Sequence, residues 1–97
     1  MANMKKIQEQ IEQLVVDSNP NALFADGFEG CLLGCTRVHG RTVAVYSRGL
    51  CIKKLMDDDE MTHDEAIEFF EFNVEGAYVG PHTPIFLDLQ IFTEGHM

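Results

Sequence analysis

The run from Thr62 to Pro84, THDEAIEFFEFNVEGAYVGPHTP, constrains the fold more than any other part of the chain. Thr62 followed by Glu65 is the S/T-x-x-E capping box. The threonine oxygen can accept from the Glu65 N–H while the glutamate reaches back to the Thr62 N–H. Asp64 and Glu65 also suit the positive end of a helix macrodipole. Behind this cap Ala66, Ile67, Phe69, Phe70, Val74 and Ala77 recur at spacings of three and four, with Glu68, Glu71 and Glu75 opposite them. The pattern predicts one amphipathic surface helix. Asn73, at the edge of the stripe, is expected to be partly buried and to cap backbone of the following turn. Gly76 fits a left-handed stop, and Gly80-Pro81 with Thr83-Pro84 a rigid turn. Ile85, Leu87, Leu89 and Ile91 then alternate with Phe86, Asp88, Gln90 and Phe92, a period-2 strand over Ile85–Phe92 with its more apolar side set by the aliphatics.

Ahead of that run, Met4, Ile7, Ile11, Leu14 and Val15 form a helical stripe between solvated Lys, Gln and Glu. The helix must stop near Ser18-Asn19-Pro20, because the residue before a proline is pushed out of the α region. Asn21–Glu29 is a connector whose Leu23, Phe24 and Phe28 pack over the core edge. Gly30–Val38 and Thr42–Arg48 are two strands. A three-residue loop, His39-Gly40-Arg41, pairs Val38 with Thr42 and sorts Cys31, Leu33, Cys35, Val43 and Val45 onto one face. Gly34, Thr36, Thr42 and Tyr46 take the other. Arg48–Asp57 is a short helix with Ile52, Leu55 and Met56 inward and Lys53 and Lys54 outward. The expected architecture is a single α+β domain over 1–97 of order α-β-β-α-α-β, with a three-stranded antiparallel sheet packed against helices.

Ninety-seven residues can bury about 60–65% of the surface of the unfolded chain. Sixteen acids against seven bases give a net charge of −9, which opposes direct nucleic-acid binding and attachment to anionic membranes. It suits a basic protein partner, or a surface that competes for a nucleic-acid site. Three cysteines, an odd number, with no signal-peptide pattern or apolar run of membrane-spanning length, place the expected setting in a reducing cytoplasm.

Catalytic constellations are weak. Cys31-x3-Cys35-x3-His39 resembles zinc spacing, but strand residues four apart lie ~13 Å from each other, too far for ligands to one metal. Asp57, Asp58, Asp59 and Glu60, with His63, Asp64 and Glu65, lack the spacing of a calcium loop. Cys51 opens a helix, where a thiol pKa can fall, yet no histidine is placed beside it. Phosphate-binding glycine loops and serine elbows are missing. The reading is a non-enzyme with no cofactor or metal. Phe86, Phe92 and Tyr46 form a candidate interface if they share an open sheet face, which bears on whether the chain is a monomer or a homodimer.

The segment from Ala25 to Asp88 resembles a family of small uncharacterised proteins encoded by bacteriophages and prophages. The resemblance runs through Asp26-Gly27-Phe28, Val45-Tyr46, Leu50-Cys51-Ile52, Leu55-Met56 and Met61–Ile67. Its most distinctive part is Phe72-Asn73-Val74-Glu75-Gly76-Ala77-Tyr78-Val79-Gly80, closing on Thr83-Pro84-Ile85-Phe86. The family pattern carries an acidic residue where Ser47 and Arg48 follow Tyr46, so this chain departs there. The resemblance brings no catalytic residue or ligand and implies only a phage or prophage setting. The expected role is an accessory protein in the host cytoplasm that binds a host or viral protein, with inhibition of a nucleic-acid-handling or defence complex as its sharper form. Asp57, Asp58, Asp59, Glu60, Glu68, Glu71 and Glu75 are the candidate acidic face. A self-associating assembly protein is the alternative, and a metal- or thiol-dependent enzyme comes behind it.

Overall fold

A computed structural model of the chain describes residues 4–88. Helix α1 spans Met4–Ser18, strands β1 and β2 span Leu32–Val38 and Arg41–Ser47, and α2 and α3 span Arg48–Asp58 and His63–Phe70. A π-helical turn, Glu71–Glu75, extends α3, and β3 spans Ile85–Leu87. The α+β order is the expected one. Residues Leu89–Phe92 of the expected final strand lie outside the described residues.

The sheet is mixed rather than antiparallel. Its order is β1-β2-β3; β1 runs antiparallel to β2, whereas β3 runs parallel to it, pairing Val45 with Ile85 and Ser47 with Leu87. Parallel neighbours need a crossover of a dozen or more residues, and here α2 and α3 supply it.

The hairpin also differs from expectation. Val38 pairs with Arg41 around a two-residue turn in which His39 and Gly40 have φ of 51° and 82°. Two consecutive left-handed residues are the I′ geometry, whose twist matches that of paired strands. The longer loop is expected because it keeps apolar and polar side chains on separate faces of the hairpin, as if one face were apolar and the other polar. That premise fails for β2, a central strand buried without interruption from Thr42 to Tyr46. A bulge between Leu32 and Gly34 resets the alternation of β1, so Leu32 faces with Tyr46 and Cys35 with Ala44, while Gly34 and Thr36 pair with Val45 and Val43 on the reverse side.

All three helices pack on the side of Ala44 and Tyr46. Cys51, Ile52 and Leu55 of α2, Ala66 and Phe70 of α3, and Ile11 of α1 close the core there. Phe24 and Phe28 of the connector pack against it as expected. Within the α1 stripe, Val15 is fully buried while Ile7 and Leu14 remain exposed. Asn19 fastens the helix end. Its Nδ2 donates to the Thr42 carbonyl at 2.9 Å and lies 3.0 Å from His82 Nδ1, and its Oδ1 accepts from the Asn21 N–H at 3.1 Å.

The cap predicted for α3 is present in both directions: Thr62 N–H donates to Glu65 Oε1 at 2.8 Å, and Glu65 N–H to Thr62 Oγ1 at 3.2 Å. The helix ends differently from the prediction. Gly76 has φ of −77°, not a left-handed value, and its N–H donates to the Glu71 carbonyl at 3.0 Å, a π-type bond. Glycine is needed because a Cβ there would meet the Glu71 carbonyl oxygen at 2.9 Å. Asn73 is exposed, and its Nδ2 donates backwards to the Phe69 carbonyl at 3.1 Å rather than forwards.

Candidate functional site

The acidic residues singled out from sequence separate into two groups. In the first, charge is met locally. Lys53 Nζ lies 2.6 Å from Asp57 and Lys54 Nζ 2.8 Å from Asp58, both one helical turn apart. The hydrogen bonds to those carboxylates push both lysine pKa values up. Arg48 bridges α2 to the π-helical turn, with Nη2 2.7 Å from Glu71 and Nε 3.4 Å from Glu75. Its guanidinium also sits 5.9 Å from the centre of the Phe70 ring.

The second group has no lysine or arginine within ion-pair distance among the described residues, and its one contact at that range is Asp64 Oδ1 to His63 Nδ1 at 3.9 Å. Asp59 and Glu60 begin the α2–α3 connection, and Asp64, Glu65 and Glu68 line the outer face of α3. With Met61, Phe69, Phe72 and Asn73 they line a broad, open groove of about 850 Å³. No lysine or arginine lines it. Asp59, Glu60 and Glu68 make no ion pair among the described residues.

Helical spacing builds this arrangement. Asp64, Glu68 and Phe72 form one ridge at intervals of four, and Glu65, Phe69 and Asn73 the next. Ala66 and Phe70 point the other way into the core, so the helix divides cleanly into an inward apolar side and an outward acidic–aromatic side. Phe72 is 82% exposed and Phe69 39%. Sequence reading placed Phe69 on the buried stripe, and the ridge pattern of charges followed four residues later by aromatics was the available signal.

The expected aromatic interface takes a different form. Tyr46 is 1% exposed and stacks on Phe86, ring centres 5.5 Å apart and planes at 29°. Phe86 in turn meets Phe70 edge-on at 5.1 Å. Helix α3 therefore covers the side of the sheet on which these rings lie. Phe86 points inward, and the aliphatic Ile85 and Leu87 take the reverse side. Aromatic area is large, and α3 offers these rings a geometric match. Phe92 lies outside the described residues. What stays open is one strip of the reverse side, where Leu33 (47% exposed) and Leu87 (40%) flank the buried Val45 and half-buried Ile85 around a depression of about 400 Å³.

The sulfur atoms do not converge with a histidine. Cys31 and Cys51 are buried together in the core, and Cys35 is exposed on β1. Burial pushes both core thiols up, with the Cys31 side chain raising Cys51 further. A thiol held in its neutral form is a poor nucleophile. Among the described residues no group of three or more His, Cys, Asp or Glu is arranged to hold a metal. No described helix is long and apolar enough to cross a membrane.

No protein-family model, curated protein or solved structure matches this chain significantly.

Proposed function

We propose that this is a non-enzymatic accessory protein, of the phage or prophage setting that its sequence resemblance implies, acting in the host cytoplasm by binding a host or viral protein through the outer face of α3. The observation that carries this reading is the groove in which five acids and no cation surround two exposed phenylalanines. Exposed aromatics at a depression are the usual anchors of protein interfaces. An acidic rim selects a basic partner and speeds its encounter. A partner surface made for nucleic acid meets this description, so inhibition of a nucleic-acid-handling or defence complex is the finer form of the proposal. Asp57, Asp58 and Glu71 contribute less than the bare sequence suggests, since Lys53, Lys54 and Arg48 already hold them.

The exposed Leu33–Leu87 strip on the reverse of the sheet favours a second reading, self-association through those two residues. The test of the first is affinity capture from host lysate with mass-spectrometric identification, run with wild type, Asp57→Asn/Asp58→Asn and Glu60→Gln/Glu68→Gln/Phe72→Ser. A partner kept by the first variant and lost by the second supports the reading. A lane with bait alone, together with a concentration-dependent dimer mass, would move the assignment to self-association.

A further inference from the structure

We infer that the α3 groove receives a basic amphipathic helix of the partner, with apolar residues seated on Phe69 and Phe72 and Lys or Arg side chains one to two turns away against Asp64, Glu65 and Glu68. This rests on the binding role proposed above and specifies what is bound. Along α3 itself the groove is ordered: Asp64, Glu65 and Glu68 come first, and Phe69 and Phe72 lie at and beyond the C-terminal end of the helix. Glu65 to Phe69 and Glu68 to Phe72 are each one turn, roughly 6 Å, and Asp64 to Phe72 is roughly 12 Å at about 1.5 Å per helical residue. A matching segment therefore carries its apolar anchor and its cationic cluster within that range of each other.

Several observations choose this occupant over others. Except for Met61, every residue lining the groove is exposed. A small molecule there would keep much of its surface in water, whereas ligand pockets bury most of theirs. Nucleic acid is repelled by the rim. A second copy of the chain is a poor complement, because Arg48, Lys53 and Lys54, of seven Lys and Arg in all, are already in ion pairs. A helix laid beside α3 fits the two parallel ridges, as in helix-in-groove recognition.

The test is a fluorescence-anisotropy titration of the full chain with a labelled synthetic helix bearing two leucines on one face and a Lys/Arg cluster one to two turns away. Controls are a peptide of the same composition with the cations spread evenly, an oligolysine, and a labelled DNA duplex. The patterned peptide is expected to saturate the protein, with affinity falling more than about tenfold for Phe72→Ser and for Asp64→Asn/Glu68→Gln. Asp57→Asn/Asp58→Asn should change it less than about twofold. Phe72 is too exposed for its loss to unfold the chain, which circular dichroism checks. Equal binding of the scrambled peptide or oligolysine, or indifference to Phe72→Ser, overturns the inference, as does tighter binding of the duplex. A dimer in sedimentation that Phe72→Ser abolishes would overturn it in favour of a second copy. If lysate capture yields a partner that the groove variants retain, the binding role stands and this assignment falls. If neither peptide nor lysate protein binds, both fall.

Discussion

The Tyr46 hydroxyl accepts a hydrogen bond from the Ala25 N–H at 2.8 Å, although the two residues lie on different elements and the tyrosine is at the centre of the core. One phenol thereby ties the connector to the middle strand, while its ring stacks on Phe86. Burial raises its pKa from 10.0 to about 12. Because the folded value is the higher one, the stabilisation is complete below pH 10 and is lost as pH rises toward about 12. Urea unfolding across that range should lose on the order of 2–3 kcal/mol from this group in wild type. Tyr46→Phe should be less stable at neutral pH by about 1–3 kcal/mol, since the Ala25 N–H loses its acceptor. Its alkaline decline should be correspondingly shallower, and identical slopes for the two proteins would refute the assignment.

Gly76 closes the π-helical turn where a side chain has no room. Gly76→Ala should cost about 1–3 kcal/mol, because the new Cβ meets backbone at Glu71 that cannot rotate away. Chemical denaturation measures this directly. Neutral or improved stability would mean that the turn relaxes to an ordinary α-helical end.

Asn19 serves three elements at once through Thr42, His82 and its own turn. Asn19→Ala should destabilise by about 1–3 kcal/mol. Asn21→Ala is the control. Asn21 reaches Asn19 through its backbone N–H, so its truncation should stay within about 0.5 kcal/mol. Equal effects at the two positions would show that the side-chain junction is not what holds α1 to β2.

Thiol reactivity separates the cysteines. In the native protein Cys35 should react with a disulfide reagent, while Cys31 and Cys51 should require denaturant. Stopped-flow thiol counting on the three single Cys→Ser variants assigns each phase. A fast native phase that disappears in Cys51→Ser would reopen the case for thiol chemistry.

Local chemistry was legible in the sequence; relations across long stretches of chain were not. The Thr62–Glu65 cap and the inward Ile52 and Leu55 follow from spacing alone. The Lys53–Asp57 and Lys54–Asp58 pairs sit at the four-residue separation that puts both partners on one face, yet the sequence reading leaves Asp57 and Asp58 on the partner-binding acidic face. Arg48 meeting Glu71 joins separate elements and leaves no periodic trace. Period-2 alternation at Ile85–Leu87 predicts that sides alternate, but which side is buried depends on what α3 presents. There Phe70 received Phe86 and left the aliphatics outside. The parallel direction of β3 was hidden for the same reason, since strand direction is set by the route of the crossover.

That crossover has a kinetic consequence. Val45 and Ile85, its partner in the sheet, lie forty positions apart in the chain. The I′ hairpin needs only a two-residue closure and can zip at once. β3 must wait for the intervening helices, because distant pairing incurs its loop entropy before any contact rewards it. Until then β2 carries an open hydrogen-bonding edge beside an uncovered Tyr46, the state in which this chain is most prone to aggregate. Refolding yield should therefore fall with protein concentration, even though the finished molecule is strongly acidic.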